Sequence, residues 1–220
     1  MMSATFPAWF SGMTVGVLLL TIAGCNAPTT SVESVPDEVI ASPTPDAIAP
    51  PGENADLWTQ LQQQNAPYFV LMRHAIAPGT GDPENFQVDD CTTQRNLSDE
   101  GRSQAQRTGD AFRENGVTVD QVLSSQWCRC LETAELLNLG TVEPYAPLNS
   151  FFRDRATEPQ QTAQVRQYMA AQDDPGVTVM VTHFVNIAAL TGSGVSSGEI
   201  VVVRLNNQDE LEVLGQIEPL

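Results

Sequence analysis

The chain contains two histidines, and each closes an apolar run: His74 ends "VLMRH" (70–74) beside Arg73, and His183 ends "GVTVMVTH" (176–183). A neutral imidazole is a nucleophile or a proton carrier near physiological pH. A guanidinium is a planar fork that grips oxyanions. All ten basic residues are arginine, so an anion held by side-chain charge is held by a guanidinium or an imidazole. Those ten face 27 acidic residues, for a net charge of -17. Such a field repels nucleic acid and anionic lipid surfaces. No nucleic-acid partner is expected, and an anion site requires a local cluster of arginines.

The elements that must position these groups follow from periodicity. "YFVLM" (68–72), "QVLSS" (121–125), "VTVMVT" (177–182) and "EIVVVRL" (199–205) are short, apolar and β-branched, as strands covered on both faces are. "SDEGRSQAQRTGDAFREN" reads as a helix, with Ala105, Thr108, Gly109 and Phe112 on one face. Ser98 is its N-cap, with Asp99 and Glu100 in the first turn. "CRCLETAELLN" and "PQQTAQVRQYMAAQ" read as further helices, and "EIVVVRL" with "LEVLGQI" as an edge hairpin across "NNQDE". This alternation predicts an α/β domain with a largely parallel sheet. Ligands of such sheets collect at the carboxyl ends of the strands, where Arg73, His74, Ser125 and His183 fall.

Taken singly, each histidine is accounted for as a packed core residue. Their order with other pieces says more: "RHA" (73–75), "LSDEGRSQA" (97–105), "SSQWCRCLETA" (124–134) and "VTH" (181–183). Over about residues 68–205 this order resembles the histidine phosphatase superfamily, small phosphatase branch. The resemblance implies a phosphoglycerate mutase-like fold: a three-layer sandwich with a mostly parallel central sheet flanked by helices. It further implies that His74 attacks phosphorus, that Arg73 and Arg129 clamp the phosphoryl oxygens, and that His183 completes the pocket. No cofactor or metal is implied. Phosphoryl transfer needs positioning and charge around three equatorial oxygens, which two guanidinium groups supply. The N-terminus of the helix near Cys128 is expected to add backbone N–H donors.

Departures from the family pattern bear on chemistry. Ala75 replaces the usual glycine after the first histidine. In "IAPGTGDP" Thr80 and the glycine amides are candidates to line the pocket. Ser150, in "LNSFFRDR", stands where many relatives carry a glutamate proton donor, and Asp154 is the candidate substitute. Losing the acid slows ester cleavage by about 10²- to 10⁴-fold, unless the leaving group needs little help, as in a phosphoramidate. Arg95 either faces the pocket or forms a surface ion pair. Arg153 and Arg155 are expected at the rim, and Arg102, Arg107, Arg113, Arg166 and Arg204 in solvent. His183-Phe184 stands where the acid phosphatase branch has His-Asp.

The first 32 residues carry no charge, and "VGVLLLTIAGC" resembles a bacterial lipoprotein signal ending at Cys25. The expected organisation is a signal peptide (1–24), a Pro/Ser/Thr-rich tether (25–55) and a phosphatase-like domain (56–220). The chain is thus expected outside the cytoplasm, on a bacterial membrane through a lipid on Cys25. In such an oxidising compartment Cys91 is expected to pair with Cys128 or Cys130. The spacings fit neither a Cys-x5-Arg thiol phosphatase nor a zinc site. The function expected is hydrolysis of a small phosphorylated substrate through a phosphohistidine on His74. The alternative is a phosphate- or phosphosugar-binding lipoprotein without turnover. Oligomeric state is left open.

Overall fold

The computed structural model of the chain describes residues 51–220; the expected signal peptide (1–24), Cys25 and the tether up to residue 50 lie outside the described residues. Helix α1 (Pro51–Gln63) opens the described part. Its anchors are Leu57 and Leu61, one turn apart and buried. Trp58 meets Phe112 edge-on at 5.0 Å. The helical spacing of Leu57, Trp58 and Leu61 is the signal that marks this element in the sequence.

Strands β1 (Pro67–Arg73), β2 (Gln121–Ser124), β3 (Val142–Pro144), β4 (Gly176–Thr182), β5 (Ile200–Leu205) and β6 (Leu211–Ile217) form one sheet in the order β3-β2-β4-β1-β5-β6. The pairs β3/β2, β2/β4 and β4/β1 are parallel. The pairs β1/β5 and β5/β6 are antiparallel, which places the expected hairpin at one edge and makes the sheet mixed. Side chains of β1 alternate between two cores, as the two-residue period of a strand requires. Tyr68, Val70 and Met72 meet Leu57, Leu61, Phe112 and Leu137 on one face. Phe69 and Leu71 meet Val165, Met169 and Ile187 on the other. Helices α1, α2 (Asp99–Glu114) and α3 (Cys128–Leu137) therefore cover the first face, and α4 (Glu158–Ala170) with α5 (Phe184–Thr191) the second. The result is an α/β fold with a central mixed sheet flanked by helices.

Ser98 caps α2 by accepting from the Gly101 amide at 3.0 Å, and the Ser98 amide donates to the Ile76 carbonyl. Two glycines let α2 lie close to its neighbours. A Cβ on Gly101 would sit 2.1 Å from the Ile76 carbonyl oxygen, and one on Gly109 would sit 2.0 Å from that of Leu137. The segment after β1 is thereby pressed against α2. The disulfide Cys91–Cys128 ties the same segment to the first residue of α3, leaving Cys130 free and buried.

Elements β3 and α5 are not apparent in the sequence. Three residues carry no usable period, and β3 exists because β2 offers it an edge. In α5, Val185, Asn186, Ile187 and Leu190 are all buried, so the apolar residues form no single stripe. Among the described residues no helix is long and apolar enough to cross a membrane.

Gly109→Ala is expected to lower stability by about 1–3 kcal/mol through overpacking, despite the ~1 kcal/mol that alanine gains in helix propensity. An unchanged urea midpoint would contradict the close approach to α3. Reduction of Cys91–Cys128, which spans 37 residues, is expected to cost up to about 4 kcal/mol by loop-closure entropy. Paired denaturation curves with and without reductant measure it.

Candidate active site

The carboxyl edge of the sheet gathers the groups that the sequence spreads over more than a hundred positions. His74 follows β1, and its amide donates to the Thr182 carbonyl at 3.0 Å, continuing the β1/β4 ladder by one residue. The next amide, of Ala75, donates to Thr133 Oγ1, and that of Ile76 to Gln104 Oε1. The Gln104 side-chain amide in turn donates to the Ser197 carbonyl. Gly198, at φ +83, donates its amide to the Arg73 and His74 carbonyls. A side chain there would collide with Gln104. The backbone on both sides of His74 is thus held by hydrogen bonds from α2, α3 and the turn before β5.

Arg73, His74, Arg95, Arg129 and His183 line one cavity of ≈ 210 Å³, together with Thr80, Asp82, Ser150, Phe152 and Phe184. The rings of His74 and His183 lie 5.5 Å apart, edge to face. His74 Nδ1 lies 2.8 Å from the Ala75 carbonyl, an acceptor, so Nδ1 carries the proton and Nε2 the free lone pair. Arg129 Nη2 lies 3.4 Å from His183 Nδ1. Since a guanidinium only donates, Nδ1 accepts there and Nε2–H donates to Ser125 Oγ, 2.9 Å away. Ser125 Oγ then donates to Asn149 Oδ1, which also receives the Gln126 amide.

Burial is the largest influence on both imidazoles, with the charge of Arg129 next. His74 is held down to about 3 and His183 well below its ordinary range. Both are neutral at pH 7. Burial pushes the Cys130 thiol up to about 12, so it is a neutral neighbour of His183, whose Nε2 lies 3.5 Å from the sulfur.

Arg129 is 2 % exposed. Its Nη1 donates to Asp82 Oδ1 at 2.6 Å and its Nη2 to Asp82 Oδ2 at 3.3 Å. The Trp127 indole N–H donates to Asp82 Oδ2 at 3.0 Å. Burial by itself raises the Asp82 carboxyl, but the hydrogen bonds and charge of Arg129 outweigh it and hold the group below the usual carboxylate range. Arg95 donates Nε to the Gly81 carbonyl and Nη1 to that of Ala77. It thereby shapes the loop that carries Asp82. Arg73 donates Nη1 to the Val195 carbonyl and lies over the Phe184 ring at 5.7 Å. Its Nε, like that of Arg129, is buried without a protein partner.

Several expectations are corrected by these positions. Asp154 is exposed and outside the cavity, its carboxylate accepting from the Ala156 amide to cap a 3-10 turn. Arg153 and Arg155 are not among the lining residues, and Arg155 turns to Glu158 and Phe151. The amide of Cys128 is already satisfied by Gln94 Oε1 at 2.9 Å, so the start of α3 does not present it to an anion. Phe184 and Val185 at the start of α5 line the cavity instead. Arg95 and Thr80 do line it, as does Ser150. Arg102, Arg107, Arg113 and Arg204 form surface ion pairs. Arg166 donates to the Leu190 carbonyl. Asp82 is the residue the sequence reading missed. Its signal was available: it is the one carboxylate in "IAPGTGDP", directly after the arginine-histidine pair.

Comparison with known proteins agrees with this architecture. The model of the histidine phosphatase superfamily (branch 1) matches residues 69–151. The protein histidine phosphatase SixA complexed with tungstate superposes with a TM-score of 0.52 at 16% identity, over 69% of this chain and 97% of that one. Rv3214 from Mycobacterium tuberculosis gives 0.54 at 16% identity, over the same shares. The family model thus matches part of the chain, and the two solved structures share its fold. Among curated proteins, the mitochondrial serine/threonine-protein phosphatase Pgam5 of Drosophila grimshawi is 34% identical over 74 residues, 34% of this chain. The Drosophila virilis protein is 33% identical over 84 residues, 38% of this chain. The chain spans about a quarter of the length of these relatives, 23% and 26%.

Because His74 binds its proton near pH 3 when folded and near 6.5 when unfolded, the unfolded chain holds more protons between those values. Stability is therefore expected to fall as pH drops from about 6.5 toward about 3, by ~1.4 kcal/mol per pH unit for each buried imidazole. The ring C–H signals of both histidines are expected to stay at their neutral positions from pH 8 to 5. Ordinary titration near 6.5 would overturn the assignment.

Proposed function

We propose that the protein is a phosphatase that hydrolyses a phosphomonoester or phosphoramidate through a phosphohistidine on His74. The observation that carries this reading is the cavity lined together by His74, whose Nδ1–H is committed to the Ala75 carbonyl, by Arg73, Arg95 and Arg129, and by neutral His183. The guanidinium groups bind the phosphoryl oxygens and draw charge as the bond to the leaving group lengthens. The imidazole lone pair forms the P–N bond, and water later breaks it. The family match and the similarity to Pgam5, a serine/threonine-protein phosphatase, support the activity class. The small cavity suits a compact phosphorylated group, and nothing in the acidic remainder of the chain favours nucleic acid.

The reading extends to location: a lipid on Cys25 anchors the domain outside the cytoplasm of a bacterium, behind a tether. The disulfide Cys91–Cys128 supports an oxidising compartment. A second reading, a phosphate-binding protein without turnover, is favoured by Ser150, which lines the cavity where relatives carry an acid.

His74→Ala is expected to abolish both turnover and acid-labile labelling by phosphate, with EDTA without effect on the wild type. Full turnover in the variant would end the phosphohistidine reading. Binding of vanadate with no turnover on esters, anhydrides and phosphoramidates would establish the second reading in its place.

A further inference from the structure

We infer that Asp82 is the catalytic acid and base of the site, protonating the leaving oxygen and then activating the hydrolytic water; this rests on the phosphatase reading above. Ester cleavage requires a proton donor, and neither sequence candidate supplies one. Ser150 uses its Oγ to accept from the Phe152 amide, and Asp154 caps a turn outside the cavity. Asp82 is the one carboxylate among the cavity's lining residues, and its side chain is only 8% exposed.

The position of Asp82 also explains how an ionised carboxylate becomes an acid. Without substrate it occupies the guanidinium of Arg129, the same fork that a phosphoryl group requires. Substrate oxygens that take Nη1 and Nη2 remove the hydrogen bonds and much of the field that keep the carboxyl ionised. They also bring a second anion into the same cavity, beside the Asp82 side chain. Two like charges at such a site are relieved by binding one proton, and the carboxylate is the group that takes it. The Trp127 indole, at 3.0 Å from Oδ2, retains the displaced carboxyl at the cavity wall. Gly79 and Gly81, at φ +94 and +69, permit the adjacent backbone to adjust, because glycine has no side chain to oppose positive φ.

The step balances. His74 Nε2 forms a bond to phosphorus as the bond from phosphorus to the ester oxygen breaks, and the proton of Asp82 moves to that oxygen, giving the alcohol. The products are a phosphohistidine that keeps Nδ1–H and an Asp82 carboxylate. That carboxylate takes a proton from water as the water oxygen attacks phosphorus. The P–N bond breaks, its electrons return to Nε2, and His74 is neutral again beside protonated Asp82. Phosphate release returns Arg129 to Asp82, whose proton passes to solvent, and the ion pair is restored.

The test compares an alkyl monoester, glycerol phosphate, with p-nitrophenyl phosphate, whose leaving group departs without a proton. Asp82→Asn is expected to lower kcat/KM about 10²- to 10⁴-fold on glycerol phosphate and by no more than about tenfold on p-nitrophenyl phosphate. Both rates are read on one sample, so the ratio does not depend on the folded fraction. As a measurement that needs no variant, wild-type rates across aryl phosphates of graded leaving-group acidity are expected to depend only weakly on that acidity. Equal losses on both esters, a gain on both from freeing Arg129, or a steep dependence in the wild type would each overturn the role. His74→Ala run alongside separates the readings. Its inactivity combined with equal Asp82→Asn losses sinks Asp82 alone, its retained turnover sinks the phosphohistidine route as well, and a wild type inert on both esters sinks the role of Asp82 in ester cleavage.

Discussion

The cavity is organised by the burial of one permanent charge. Arg129 cannot shed its proton, and leaving a guanidinium unpaired in a place 2 % exposed is costly. Folding answers by gathering acceptors around it: both oxygens of Asp82, the Arg95 carbonyl and His183 Nδ1. Each of these contacts has a second consequence. The Asp82 pair ties the glycine-rich loop, which lines the cavity, to α3. The Arg95 contact sets the approach of a further guanidinium. The bond to His183 selects the tautomer that reaches Ser125 and, through it, Asn149.

The same charge controls the imidazoles. Burial does most to keep His74 and His183 neutral, and Arg129 is the next largest influence on both. On the proposed phosphohistidine route, a neutral His74 with Nδ1–H fixed on a carbonyl attacks without a base to prepare it. The chain as a whole, at net charge -17, repels anions at long range, and the cavity arginines supply the local attraction to an oxyanion. That division of field favours recognition of a localised charge over adsorption to polyanionic surfaces.

The scaffold concentrates its rigidity where these groups attach. Strand ladders end directly beneath His74 and His183, Gln104 spans from Ile76 to Ser197, and the disulfide ties Cys91 to the residue before Arg129. Trp127, stacked on Phe86 at 4.9 Å and edge-on to His183 at 5.4 Å, closes the side between loop and helix. The Asp82 loop, by contrast, is held largely by Arg95 and by the ion pair, which an incoming oxyanion can replace.

By itself the sequence determined the strands at 68–72, 177–182 and 199–205, helices α2 and α3, and the pairing of an arginine with a histidine at a strand end. Those features depend on local period, capping and composition, which a linear reading contains. It also placed Arg129 and His183 in the family order, because the motifs that carry them are contiguous. Tertiary structure alone decided that Cys128 and not Cys130 pairs with Cys91, that the start of α3 is capped by Gln94, and that Asp154 faces away while Asp82 faces in. These depend on which distant segments meet at the carboxyl edge of the sheet. No periodicity records where an irregular loop turns its carboxylate once a buried guanidinium is there to receive it.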